Sequence, residues 1–153
     1  MWRRIRYLLV LLTLCAIATC PSAHRSCRAK LRAQEAPVLE EALLASLRRI
    51  AAAGAALPSV AAGPTPALGA CCEQGGRCAV NAEQWAAEPW RSLRFSMDRP
   101  HRYSVEYQPA AGGALLRIIG DVDCDGVRST YQLRATVSGK AVTFERTVTN
   151  PLE

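Results

Sequence analysis

The chain has 153 residues, 50% hydrophobic and 21% charged, with seven cysteines and a formal net charge of +6. That length allows one domain with a substantial core. From residue 23 onward 16 basic residues face 13 acidic ones, and no Lys/Arg run is interleaved with aromatics, so composition argues against nucleic acid as a partner.

The N-terminus, "MWRRIRYLLVLLTLCAIATCPSAHRSCRAKLR", places Arg3, Arg4 and Arg6 before an apolar run from Tyr7 to about Ala23. Three readings fit this pattern. One is a signal peptide with Ala16-Ile17-Ala18 before the cut. The second is a lipoprotein signal that modifies Cys20. The third is a retained membrane helix, stopped by His24, Arg25, Arg28, Lys30 and Arg32. Retention is the expectation. All three carry the bulk of the chain out of the cytoplasm, to an inner-membrane location with a periplasmic or extracellular globular part.

Next comes "APVLEEALLASLRRIAAAGAAL". Leu39, Leu43, Leu44, Leu47 and Ile50 recur at helical spacing, which predicts an amphipathic helix over about 38–56. Pro37 starts or kinks it, and Gly54 and Pro58 end it. "PSVAAGPTPALGA" has three prolines and two glycines and reads as a linker without regular structure.

Cys71, Cys72, Cys78 and Cys124 lie in the expected globular part. Outside the cytoplasm an even set predicts two disulfides. Adjacent Cys71 and Cys72 make a strained pair, which leaves two pairings, each tying the "CCEQGGRC" loop to Cys124. Cys27 is left over. Zinc is disfavoured by the lack of C-x2-C pairs.

"HRYSVEYQP" and "RSTYQLRATV" alternate apolar and polar residues, "GGALLRIIG" is an apolar run after a Gly-Gly turn, and "SGK" turns into "AVTFERTV". These are four strands of an antiparallel meander. The apolar face needs a cover, and the helix is the large candidate. The expected fold class is therefore α+β: a long N-terminal helix, membrane-spanning at its start, packed on about four strands and stapled by disulfides. The expected divisions are 1–23 (membrane segment), 24–57 (amphipathic helix), 58–70 (linker) and 71–153 (β domain).

"GDVDCDGVRS" places Asp121, Asp123 and Asp125 at alternate positions before Gly126. In a calcium loop such positions supply carboxylates, Val127 a carbonyl and Ser129 the ninth-position ligand. The twelfth position holds Gln132 where a bidentate glutamate belongs, and the flanks read as strands. Ca2+ is the cation this loop would take, as a weak extracellular staple. Without it the stretch is an acidic turn tied down by Cys124.

No nucleophile elbow, Ser-x-x-Lys, paired acid and base or Gly-rich phosphate loop occurs, so an enzyme is not expected. His101 reads as a surface residue at a strand start. Trp85 and Trp90 read as packing residues.

Several stretches resemble the type IV pilin and pseudopilin family. "AIATCPSAHRSCRAKLRAQEA" is similar to the pilin pattern of a membrane helix, a kinking proline (Pro21 here) and a polar stretch ending in Glu-Ala. "CCEQGGRC", Trp85 and Trp90, "LRFSMDRPHRYSVEY" and "GDVDCDGVRSTY" are similar to the globular part of a pilin-like subgroup. The resemblance implies a membrane-anchored structural subunit of a type IV pilus or type II secretion pseudopilus, with the membrane and pilin or pseudopilin subunits as partners. The Gly-Phe-Thr-Leu-Ile-Glu signature of pilin precursors has no counterpart in "RRIRYLLVLL". The other reading is a secreted or lipid-anchored binding domain outside any filament.

Overall fold

The computed structural model of the chain describes residues 30–152. The expected membrane segment, Cys20 and Cys27 lie outside them. A helical turn at 30–33 breaks at Gln34 and is followed by helix α1, Glu35–Ala52. Pro37 explains the break. It has no N–H for the Ala33 carbonyl, and its ring crowds that carbonyl. The other end closes by a Schellman motif. Gly54, at φ +67°, donates to Ala51, and Ala55 donates to Ile50.

The polypeptide then crosses an irregular stretch that contains strand β1 (Ala62–Thr65) and short helix α2 (Ala70–Glu73). A 3-10 turn (Ala82–Trp85) and short helix α3 (Trp90–Leu93) follow. Strands β2 (Tyr103–Ala110), β3 (Gly113–Gly120), β4 (Ser129–Ser138) and β5 (Ala141–Thr149) complete the fold. The sheet is antiparallel with strand order β1-β2-β3-β4-β5.

Two expectations about the fold are overturned. The sheet has five strands rather than about four, because β1 lies in the stretch read as a linker. "AGPT" has no alternation to read; it is a strand because its backbone pairs with β2, across an irregularity between Ala62 and Thr65. The helix that covers the sheet is also not one unbroken long rod. Among the described residues no helix is long and apolar enough to cross a membrane, and the break at Gln34 shortens α1 to 18 residues.

The core lies between α1 and one face of the sheet. Leu43, Leu44, Leu47 and Ile50 meet Val105, Tyr107, Leu116, Ile118, Tyr131 and Leu133. Gly120 permits a close approach: a Cβ there would sit 2.5 Å from ring atoms of Tyr103. The opposite face is polar. Arg117 bridges Glu106 on β2 (3.1 Å) and Gln132 on β4 (3.1 Å). Trp85, Trp90, Leu93, Phe95 and Met97 fill the rest of the core from the irregular stretch. Trp85 stands edge-on to Trp90 and Phe95, with ring centroids 5.3 and 5.5 Å apart.

Candidate functional site

Two loops meet at one end of the sheet. The first begins at Gly69 (φ +86°), which turns the chain into α2. Gly75 and Gly76 then reverse it through positive φ values that a side chain would resist. Cys78 continues as a bridge to His101, donating its N–H to the His101 carbonyl (2.7 Å) and accepting the His101 N–H (3.2 Å). The second loop joins β3 to β4 across residues 121–128.

Disulfides Cys71–Cys78 and Cys72–Cys124 bind this region together. One closes the small cysteine loop and the other joins it to the aspartate loop. The four cysteines expected to pair do so, in one of the two pairings the sequence left open.

The aspartate loop is held largely by its own side chains. Asp121 accepts the N–H groups of Asp125 (3.1 Å) and Gly126 (3.0 Å), and Asp125 accepts that of Val127 (2.7 Å). Aspartate suits this work because a short carboxylate reaches its own backbone a few residues on. Cys124 adopts φ +64°, a left-handed conformation that a non-glycine residue seldom takes. From outside the loop, Arg32 donates to the Val122 carbonyl at 2.8 Å.

Oxygens of Asp121, Asp123 and Asp125 lie within 4.8 Å of one another. That much of the expected calcium set is assembled, and Val127 is exposed beside it. Ser129 is not part of it. Its side chain is fully buried and donates to the Gly120 carbonyl at 3.3 Å, inside the β3–β4 ladder. As the first residue of β4 it takes its direction from the strand, not from the loop. The donor set left to a cation is three carboxylates and main-chain oxygens, smaller than the one a full calcium loop presents.

The crevice between the two loops, lined by Cys72, Arg102, Ser104, Asp121 and Arg128 among others, holds about 10 Å³. That is no more than one water, so the loop junction has no room for an organic ligand.

His101 departs from its expected surface position: it is 4% exposed. Its Nδ1 lies 3.1 Å from the Arg99 carbonyl, and its ring meets Trp85 edge-on at 6.4 Å. The cysteines within ligand distance of it, Cys71 and Cys78, are joined to each other, so neither is a free thiol for it to activate. The bridge to Cys78 draws His101 inward, and local sequence carries no sign of that pairing.

Sequence reasoning also missed a polar link. Glu35 accepts the Arg102 N–H at 2.8 Å and pairs with its guanidinium at 3.4 Å, both side chains being largely covered. Burial, then the nearby Arg77, lowers the Arg102 pKa from its ordinary value, against the pull of Glu35. The first carboxylate of the chain is thus spent on fastening α1 to the start of β2. The partners are 67 residues apart, and nothing in either neighbourhood signals the contact.

No protein-family model, curated protein or solved structure matches this chain.

Proposed function

We propose that residues 30–152 are the extracytoplasmic head of a non-enzymatic, pilin-like structural subunit. Residues 1–29 direct its export and attach it to the membrane. The observation that carries this reading is the Cys72–Cys124 disulfide. A link between distant loops persists in oxidising compartments and is rare in the cytosol. A helix laid on an antiparallel meander, with the cysteine and aspartate loops stapled at one end, also accords with the resemblance in "CCEQGGRC" and "GDVDCDGVRSTY". On this reading calcium is at most an accessory to the aspartate loop, and the partners are other pilin or pseudopilin subunits.

The test is fractionation of native cells, followed by N-terminal sequencing and intact-mass measurement of the recovered chain. The expected result is an oxidised protein in the inner-membrane fraction that cross-links to pilin-like subunits. Recovery only as a soluble form beginning near Thr19 or His24 would sink the proposal. So would free thiols at Cys72 and Cys124.

The second reading is a secreted or lipid-anchored binding domain. It is favoured by a groove of about 450 Å³ beside α1, lined by Leu31, Val38, Phe95 and Met97 among others. Loss of membrane attachment on Cys20→Ser would favour this reading and its lipid anchor.

A further inference from the structure

The sheet has two edges, and among the described residues only one of them is blocked. β1 is four residues long, contains Pro64, and pairs irregularly with β2. Short strands, prolines, irregular pairing and charged side chains are the usual guards of an edge. Of these β5 carries only Glu145 and Arg146, which are of opposite sign, and Arg146 is paired with Glu40. β5 is nine residues long, has neither proline nor glycine, pairs with β4 in unbroken register, and is exposed at seven positions.

The hairpin sets which backbone groups β5 leaves open. Gly139 and Lys140 form a two-residue turn between Ser138 and Ala141, with Gly139 at φ +58°. Such a turn closes on a hydrogen-bonded pair, and bonded and non-bonded pairs alternate from there. Thr143, Glu145 and Thr147 therefore direct their N–H and C=O groups to β4. Those of Val142, Phe144, Arg146 and Val148 point to the open edge. The side chains of these four lie on the helix side of the sheet, opposite Val137, Ala135, Leu133 and Tyr131.

We propose that β5 pairs with β5 of a second copy, antiparallel, about a two-fold axis at Phe144. The blocked β1 edge cannot receive β5, so the contact closes on itself rather than propagating. Overlap and charge together select the register. Axes at Val142, Thr147 or Val148 pair at most five residues of each β5, against seven at Phe144, and charge excludes the others. An axis at Thr143 would set Arg146 against the partner's Lys140. An axis at Glu145 or at Arg146 would oppose two like charges at the centre. Centred on Phe144, the two phenyl rings meet, Val142 faces the partner's Arg146, and Thr143 faces the partner's Glu145. Arg146 then lies diagonal to the partner's Phe144 and extends the apolar contact with its methylene stem, its guanidinium being held by Glu40 at 2.9 Å and lying over the Tyr131 ring. Phe144, 41% exposed, becomes the centre of the contact. The proposal does not depend on whether the chain enters a filament.

The test uses the full-length oxidised chain in mild detergent. Sedimentation gives its mass across a concentration series, and hydrogen exchange reports the β5 amides one by one. At low concentration the amides of Thr143, Glu145 and Thr147 are protected while those of Val142, Phe144, Arg146 and Val148 exchange freely. At high concentration the amides of Val142, Phe144 and Arg146 become protected as a dimer forms, while that of Val148, which faces the partner's turn, does not. Phe144→Lys, which places two ammonium groups on the axis, weakens the dimer by about tenfold or more. Thr143→Lys, which sets a lysine against the partner's Glu145, tightens it. A chain that stays monomeric overturns the proposal. So does a dimer whose Phe144 amide still exchanges freely, or one that Thr143→Lys weakens. The Thr143→Lys result stands even if Phe144→Lys fails to fold.

Discussion

Residues 103–149 and residues 53–102 build the same core by different means. The first segment is a meander whose backbone groups pair strand to strand, with alternate side chains turned inward. The second has one short strand and three short helical turns, yet it buries Trp85, Trp90, Leu93, Phe95 and Met97. Its shape rests on aromatic packing, a disulfide and scattered polar contacts. Trp90 donates to the Thr65 hydroxyl at 3.3 Å, and Arg49 reaches from α1 to the Leu93 carbonyl at 2.6 Å. Regular secondary structure is therefore a poor guide to where this fold keeps its stability.

The sharpest way to break that comparison is at Trp90, which is 1% exposed. Trp90→Ala should cost about 3–5 kcal/mol in urea unfolding, by lost burial and the cavity left behind. Phe144→Ala, in the most regular part of the molecule, should cost less than about 1 kcal/mol. Equal costs would mean that the irregular segment is only a covering.

The two disulfides should differ for a related reason. Cys72–Cys124 spans 52 residues and fastens the irregular segment to the sheet, whereas Cys71–Cys78 spans 7 within one loop. The double replacement Cys72→Ser with Cys124→Ser should cost about 4 kcal/mol. Cys71→Ser with Cys78→Ser should cost about 2 kcal/mol, because a shorter loop restrains the unfolded chain less. Thermal melts of the two variants at matched concentration give the order.

Within the aspartate loop the carboxylates are not equivalent. Asp121→Ala removes the acceptor for two backbone N–H groups and should cost about 1–2 kcal/mol. Among the described residues Asp123 accepts no such bond, so Asp123→Ala should leave the calcium-free melting temperature within about 1 °C. The same variant should remove whatever rise millimolar calcium produces in the parent. A rise that survives Asp123→Ala would place the cation elsewhere.

The effect of smallest size at neutral pH emerges fully only at high pH. Burial pushes the Tyr107 phenol up to about 12, and its hydroxyl donates to the Pro58 carbonyl at 2.8 Å. The unfolded chain releases that proton near pH 10, so the folded state holds more protons between about pH 10 and 12 and its stability falls as pH rises through that window. Tyr107→Phe should cost about 1 kcal/mol at pH 7, through the lost bond. It should also flatten the decline above pH 10. An unchanged alkaline slope would show that Tyr107 is not the group responsible.

Much of this protein is written in local pattern. Leucine spacing at 39–50 specifies α1, because a helix brings every third and fourth residue to one face. Alternation in "RYSVEY" and "STYQLRATV" specifies strands, because successive strand residues face opposite ways. Three clustered cysteines, a lone fourth at Cys124 and the Asp-x-Asp-x-Asp-Gly spacing marked the loops that meet at the sheet's end. What tertiary structure alone decided were the contacts between residues distant in sequence. β1 exists only because β2 offers it a backbone to pair with. Ser129 turns inward because it is committed to the β3–β4 ladder. His101 is buried by a bridge to Cys78, and Glu35 is taken by Arg102. In each case the partner lies from 9 to 67 residues away, and its approach is set by the packing of the whole chain, which no local window of residues contains.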